Sequence, residues 1–186
     1  MKDFILKSIE TAPVASRPAL QQLQAAFGGT LPNIARAMST SSVLIDSLVV
    51  LFGKVHGGSF SEPQIQVVLL TDAVANEANW AVAFHSFLAL QAGLANEDVE
   101  AIRNGRAPAE AKLGALSTLA RTLIEKRGHI TEAEGQVFLA QGFGRDHLLE
   151  VIAIVAASTI TNYTANVTEP PLEPEFQPYA WTAPSA

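Results

Sequence analysis

Apolar residues recur along most of this chain at the 3.6-residue spacing of helices, and almost no stretch alternates as a strand does, so an all-α fold is expected between Ser16 and Thr168. Ser16 heads the first pattern, "RPALQQLQAAF", which stops at Gly28-Gly29, and a short helix follows Pro32. Ser41 or Ser42 opens "VLIDSLVVLFGKV", closed by Gly57-Gly58. Ser61 caps "EPQIQVVLLTDAVAN", with Pro63 in its first turn, where a missing N–H costs little. The stretch "NEANWAVAFHSFLALQAGL", Asn76 to Leu94, reads as one helix that stops at Gly93. Asn96 caps "EDVEAIRNG", and "AEAKLGALSTLARTLIEKRG" forms a longer helix with its basic end at Lys126 and Arg127. Thr131 and Glu134 form a capping box before "GQVFLAQG", and the last helix begins near Arg145. Residues 1–168 are thus expected to be one all-helical domain, and residues 169–186 a proline-rich, non-helical tail. Phe176, Tyr179 and Trp181 would anchor that tail on its own subunit or on a neighbour.

Composition narrows the function. The 186 residues are 48% hydrophobic and only 16% charged, with mean hydropathy +0.22, so apolar surface is expected to be covered in a homo-oligomer. The apolar runs "VLIDSLVVLF" and "LLEVIAIVAA" fall short of a bilayer span and are broken by Asp46 and Glu150, and the N-terminus lacks a secretory apolar core. No membrane contact and a cytoplasmic location are expected. Net charge −6 without a Lys/Arg cluster disfavours nucleic acid, leaving a small-molecule ligand as the expected partner. The absence of cysteine excludes disulfides, thiolate metal sites and cysteine nucleophiles. No phosphate loop, nucleophile elbow or histidine pair is present, so neither a metal nor a cofactor is expected.

His56, His129 and His147 are each isolated among loop or charged residues and read as surface groups. His85 stands differently. On a helix, Ala78, Ala81 and His85 share one face, with Trp80, Phe84 and Leu88 on the adjoining stripe, so His85 faces two small side chains beside an aromatic wall. The plain reading is a core histidine satisfied by one hydrogen bond, with the alanines allowing close helix approach. The functional reading is a proton-transfer group in a pocket bounded by Ala78, Ala81 and Trp80.

The segment from Phe60 to Gly105 resembles the core of the carboxymuconolactone decarboxylase and alkylhydroperoxidase D-like family. That family carries a helix with C-x-x-C-x-x-x-H, an earlier glutamate, then an "ALxAGL" pattern and a short acidic helix. Here His85 matches the motif histidine and "LALQAGLANEDVEAIRNG" continues the pattern. "RTLIEKRGHITEAEGQVFLAQGF" and "AASTITNYTANV" are similar to downstream parts of peroxidase-related members. Counting back places Ala81 and Ala78 at the two cysteine positions and Gln66 at the relay glutamate, with Glu62 the alternative one helical turn away.

The resemblance implies the family's helical fold. It also implies thiol peroxidase chemistry, which the missing sulfurs exclude. What remains is a carboxymuconolactone decarboxylase-like lyase: cofactor-free decarboxylation or proton transfer on a small lactone or carboxylate, with His85 moving the proton, Gln66 orienting, and Glu62 or Glu77 supplying any carboxylate. The alternative is a non-catalytic small-molecule-binding or structural oligomer.

Overall fold

The computed structural model describes residues 4–183. Among them run nine α-helices and no strand: α1 (Arg17–Ala26), α2 (Asn33–Met38), α3 (Ser42–Val55), α4 (Glu62–Ala75), α5 (Asn79–Gln91), α6 (Asn96–Arg103), α7 (Ala111–Glu125), α8 (Glu132–Leu139) and α9 (Arg145–Thr168). The expected all-α architecture is what the chain adopts.

Helix α4 is the axis of the bundle. It packs against α5, α6, α7 and α9, and every residue from Ile65 to Val74 is buried. A helix enclosed on all sides has no solvent face, so its polar residues Gln66, Thr71 and Asp72 lie inside the protein. Thr71 is satisfied by the Ser117 hydroxyl at 2.8 Å. Each fully enclosed leucine, such as Leu69 or Leu70, contributes roughly 1.5–3 kcal/mol relative to exposure.

Several helix starts follow the sequence. Ser41 accepts from the Leu44 N–H, Ser61 forms a capping box with Gln64, and Thr131 with Glu134 forms the expected box. Others differ. Ser16 precedes α1, but its hydroxyl donates to the Ser39 carbonyl at 2.7 Å, tying the start of α1 to the end of α2 instead of capping. Asn96 lies inside α6, whose cap position is Ala95. Glu110 caps α7, its carboxylate accepting from the Lys112 and Leu113 N–H groups.

The largest correction falls at the helix that carries His85. Asn76 ends α4, Glu77 turns through a left-handed conformation (φ 51°), and Ala78 is the cap residue, so α5 begins only at Asn79. Neither Glu77 nor Ala78 is a residue type that announces such a turn.

The tail is not irregular throughout. Pro174–Tyr179 form a 3-10 turn that lies along α5. Phe176 is buried against Trp80, Phe84 and Phe87, Tyr179 meets Phe87, and the Trp181 indole donates to the Arg103 carbonyl at 3.0 Å. Arg103 returns the contact through hydrogen bonds to the Tyr179 and Ala180 carbonyls. The anchors therefore act on their own chain.

Helix α9 is long and apolar enough, by length and composition, to cross a membrane. It nevertheless packs against α2, α3, α4, α5 and α7, and its inward face carries Ser158, Thr161 and Asn162.

Candidate functional site

The site begins with a tight link between helices. His56 is the residue that ends α3, and Glu62 is the first residue of α4. The loop between them is pinned by Glu150 of α9, whose carboxylate accepts from the Ser59 N–H and hydroxyl, each at 2.7 Å. A side chain at Gly58 would collide with that carboxylate, so the close approach requires glycine. The pinned loop brings His56 Nδ1 to 2.9 Å from Glu62 Oε2.

From Glu62 a file of hydrogen bonds runs inward. One helical turn along α4, the Gln66 amide N–H donates to Glu62 Oε1 at 2.7 Å. The Gln66 carbonyl oxygen then meets His85 Nδ1 at 3.0 Å, across the α4–α5 interface. His85 and Gln66 are both buried, whereas Glu62 and His56 are half-exposed at the mouth.

The directions in this file follow from valence. A carboxylate only accepts, so Gln66 must turn its NH₂ toward Glu62 and its carbonyl toward His85. His85 Nδ1 must therefore carry a hydrogen in either protonation state. Its other ring nitrogen, Nε2, bonds no protein group among the described residues, and it is the atom on which His85 gains or loses a proton. Burial pushes the His85 pKa down to about 3, with nearby His56 adding to the fall and the Glu62 carboxylate opposing it. His85 is thus a neutral imidazole with an acceptor lone pair at Nε2. The Glu62 carboxyl is held below its ordinary value, chiefly by the hydrogen bond from His56, and so is ionised.

His85 lines two adjoining cavities. The larger, about 430 Å³, is bounded by α1, α3, α4 and α5 and includes Phe27, Phe52, Phe84, Leu88, His56, Glu62 and Gln66. The smaller, about 40 Å³, lies against α2 and α9 and is walled by Trp80, Phe84, Leu48, Ile34 and Thr161. Phe27 and Phe84 meet edge to face at 5.6 Å, and Trp80 stacks on Phe84 at 4.9 Å, giving a stiff aromatic wall. Among the described lining residues none is Lys or Arg.

His85, Gln66 and Glu62 are thus brought together in one file, with Gln66 and Glu62 in series rather than as alternatives. Trp80 lines the smaller cavity. Ala78 and Ala81 line neither cavity: both are fully enclosed, Ala78 in the cap turn and Ala81 in the first turn of the helix. The shared face drawn from helical spacing fails at Ala78 because that residue precedes the helix. Glu77 faces a separate surface cleft with Asn166 and Glu169 and supplies no carboxylate here. His56, read from sequence as a surface group, is a member of the file. The signal for it was the six-residue separation of His56 and Glu62 across Gly57-Gly58, a span short enough to fold the end of α3 onto the start of α4.

The helical arrangement is that of the alkylhydroperoxidase D-like fold class, here without cysteine. No protein-family model matches the chain, and no curated protein matches it. Solved structures do. A peroxidase-related protein with an alkylhydroperoxidase AhpD core from Ralstonia eutropha JMP134 superposes with TM-score 0.81 at 15% identity, over 93% of each chain. A peroxidase-related protein from Silicibacter sp. TM1040 matches with TM-score 0.77 at 16% identity, over 94% of this chain and 92% of that one. The debrominase Bmp8 matches with TM-score 0.79 at 14% identity, over 96% of each chain. At these identities what is shared is the fold.

Proposed function

We propose that the protein is a cofactor-free acid/base catalyst that moves a proton on a small lactone or related carbonyl compound held in the 430 Å³ cavity, with Nε2 of His85 as the proton-transfer atom. The observation that carries this reading is the direction of the Gln66 hydrogen bond. It fixes the His85 tautomer and leaves one basic nitrogen without a protein partner beside an apolar chamber. Proton abstraction by Nε2 leaves negative charge on a carbonyl-conjugated carbon and forms an imidazolium at His85 beside it, and the pair offsets the cost that burial imposes on either ion alone. After loss of CO₂ the carbanion would instead need a proton that neutral His85 does not carry at Nε2. Gln66 and Glu62 orient the ring; Phe27, Phe52 and Phe84 form the wall against which the substrate lies, and Trp80 backs Phe84 from the smaller cavity. The neighbour Bmp8, a debrominase, shows that this fold carries chemistry other than peroxide reduction.

The test is proton exchange in D₂O. Small lactones and β-keto compounds are incubated with protein, and deuterium incorporation and CO₂ release are followed by NMR. His85-dependent incorporation or release supports the reading. Ligands that bind but show no exchange above His85→Ala would overturn it.

A second reading, a non-catalytic binding protein, is favoured by one observation. A histidine with a pKa of about 3 is a weak base in the protein alone, and the Gln66 amide passes no proton between His85 and Glu62. In either reading we propose self-assembly through α9, which exposes Leu149, Ile152, Tyr163 and Val167 at helical spacing, while neighbouring α3 exposes Val43 and Val50.

A further inference from the structure

We infer that the cavity at His85 selects uncharged, flat, ring-shaped ligands that offer one hydrogen-bond donor, and rejects anions of the same shape. This deepens the acid/base reading and rests on it for the identity of the site. It decides between the two reactions tested there, in favour of proton transfer on a neutral compound over decarboxylation of a carboxylate.

The polarity of the site comes from the file behind it. Both oxygens of Glu62 are occupied, by His56 and by Gln66. Both ends of the Gln66 amide are occupied as well, by Glu62 and by His85. Beyond these bonds the file keeps only the second Gln66 N–H and the spare lone pairs of its oxygens. His85 Nε2 faces the ligand as an acceptor, because Nδ1 holds the ring hydrogen. A ligand that brings a hydroxyl or ring N–H satisfies it, as an enolisable lactone or β-keto compound does in its enol form. A ligand that brings only acceptors leaves it unpaired in an apolar chamber, which costs affinity.

The shape and the charge come from the walls. Phe27, Phe52 and Phe84 line the chamber, and a planar ring can stack on them or meet them edge to face, as Phe27 meets Phe84. A carboxylate ligand would meet the Glu62 carboxylate at the mouth and no Lys or Arg along the described lining. It would have to shed its hydration without an opposite fixed charge in return.

A matched set of naphthalenes tests this at pH 7.5 by isothermal titration calorimetry: 2-naphthol as the neutral donor, 2-methoxynaphthalene as the same ring without a donor, and 2-naphthoate as the anion. The expected result is that naphthol binds at least tenfold more tightly than either of the others, and that His85→Phe removes its advantage over the ether. Glu62→Gln is the second variant. It frees the Gln66 amide to reverse and turn Nε2 into a donor, so the preference for naphthol over the ether narrows while the fold, followed by circular dichroism, is kept. Naphthoate or the ether binding as tightly as naphthol overturns the inference, as does failure of all three to bind, or a preference unchanged in both variants. Failure of proton exchange with naphthol preference intact would sink the catalytic reading alone.

Discussion

Gln66 joins His85 through a 3.0 Å hydrogen bond whose direction is imposed from behind, by the carboxylate of Glu62. A neutral amide in this position fixes a ring without sharing a proton with it. That separates His85 from the acid at the mouth.

Replacing the amide by an acid should therefore change the histidine. In Gln66→Glu, a carboxylate adjoining His85 is expected to raise the His85 pKa from about 3 by roughly 1–3 units. The ring proton chemical shifts followed against pH measure it. An unmoved midpoint would mean that the new carboxyl is protonated or has turned away.

Thermal stability should depend on pH through the same ring. The folded pKa of His85 lies below the 6.5 of the free side chain, so the unfolded chain binds the extra proton first. Stability contributed by the neutral ring is present above pH 6.5 and is lost as pH falls toward about 3, at up to about 1.4 kcal/mol per pH unit. Comparing wild type with His85→Phe in calorimetry at pH 7 and pH 4.5 isolates this slope. Equal losses in the two proteins would place the acid sensitivity elsewhere.

Asp72 should act with the opposite sign. It is fully enclosed on α4, both carboxyl oxygens lack a hydrogen-bond partner, and burial holds its pKa well above the usual range, with Ser158 opposing only in part. The folded state keeps a proton that the unfolded chain releases above about pH 4, so this contribution is full below that pH and falls as pH rises through the folded pKa. Asp72→Asn, which mimics the protonated acid, should match wild type at pH 4 and melt higher at pH 8. A lower melting temperature at pH 8 would show that the carboxylate itself is required.

The chain should consume no alkyl hydroperoxide above a boiled control when supplied with dithiol. It has no cysteine to form a sulfenic acid or to resolve one. Turnover in a peroxide-consumption assay would show a non-thiol route.

Assembly through α9 should be sensitive to one charge. Ile152→Glu places a carboxylate among the exposed apolar residues of α9 and should convert an oligomer to a monomer in sedimentation equilibrium, with helicity unchanged. A wild-type protein that sediments as a monomer at micromolar concentration would remove the proposal.

Much of the fold was legible because it rests on spacing and caps. Ser41, Ser61 and Thr131 signalled their helices correctly, since each side chain has a partner only if the helix starts there. The break at Glu77–Ala78 left no such mark, because residues of helical type adopt it under tertiary packing. Gln66 could be paired with His85 only through the family resemblance, which left Glu62, one turn away, as the alternative; in the structure the two stand in series. The place of His56 depended on how tightly the α3–α4 loop closes, which is set by Glu150 from a helix far along the chain. Asp72 carries no local signal in the sequence, and the enclosure of α4 on every side makes it an interior acid.

The tail carries one more consequence. Glu173 accepts from the Asn33 N–H at the start of α2 and from the Trp80 indole, and Phe176 lies behind Trp80 and Phe84. Translation delivers Trp80 to the ribosome exit 93 residues before Glu173. A nascent chain can therefore form α4 and α5 while the aromatic wall still lacks its backing, and the cavity wall becomes complete only after nearly all of the described sequence has emerged. Completion of the wall in ribosome-bound chains would thus date the emergence of Glu173 and Phe176 rather than the folding of the helices that carry His85.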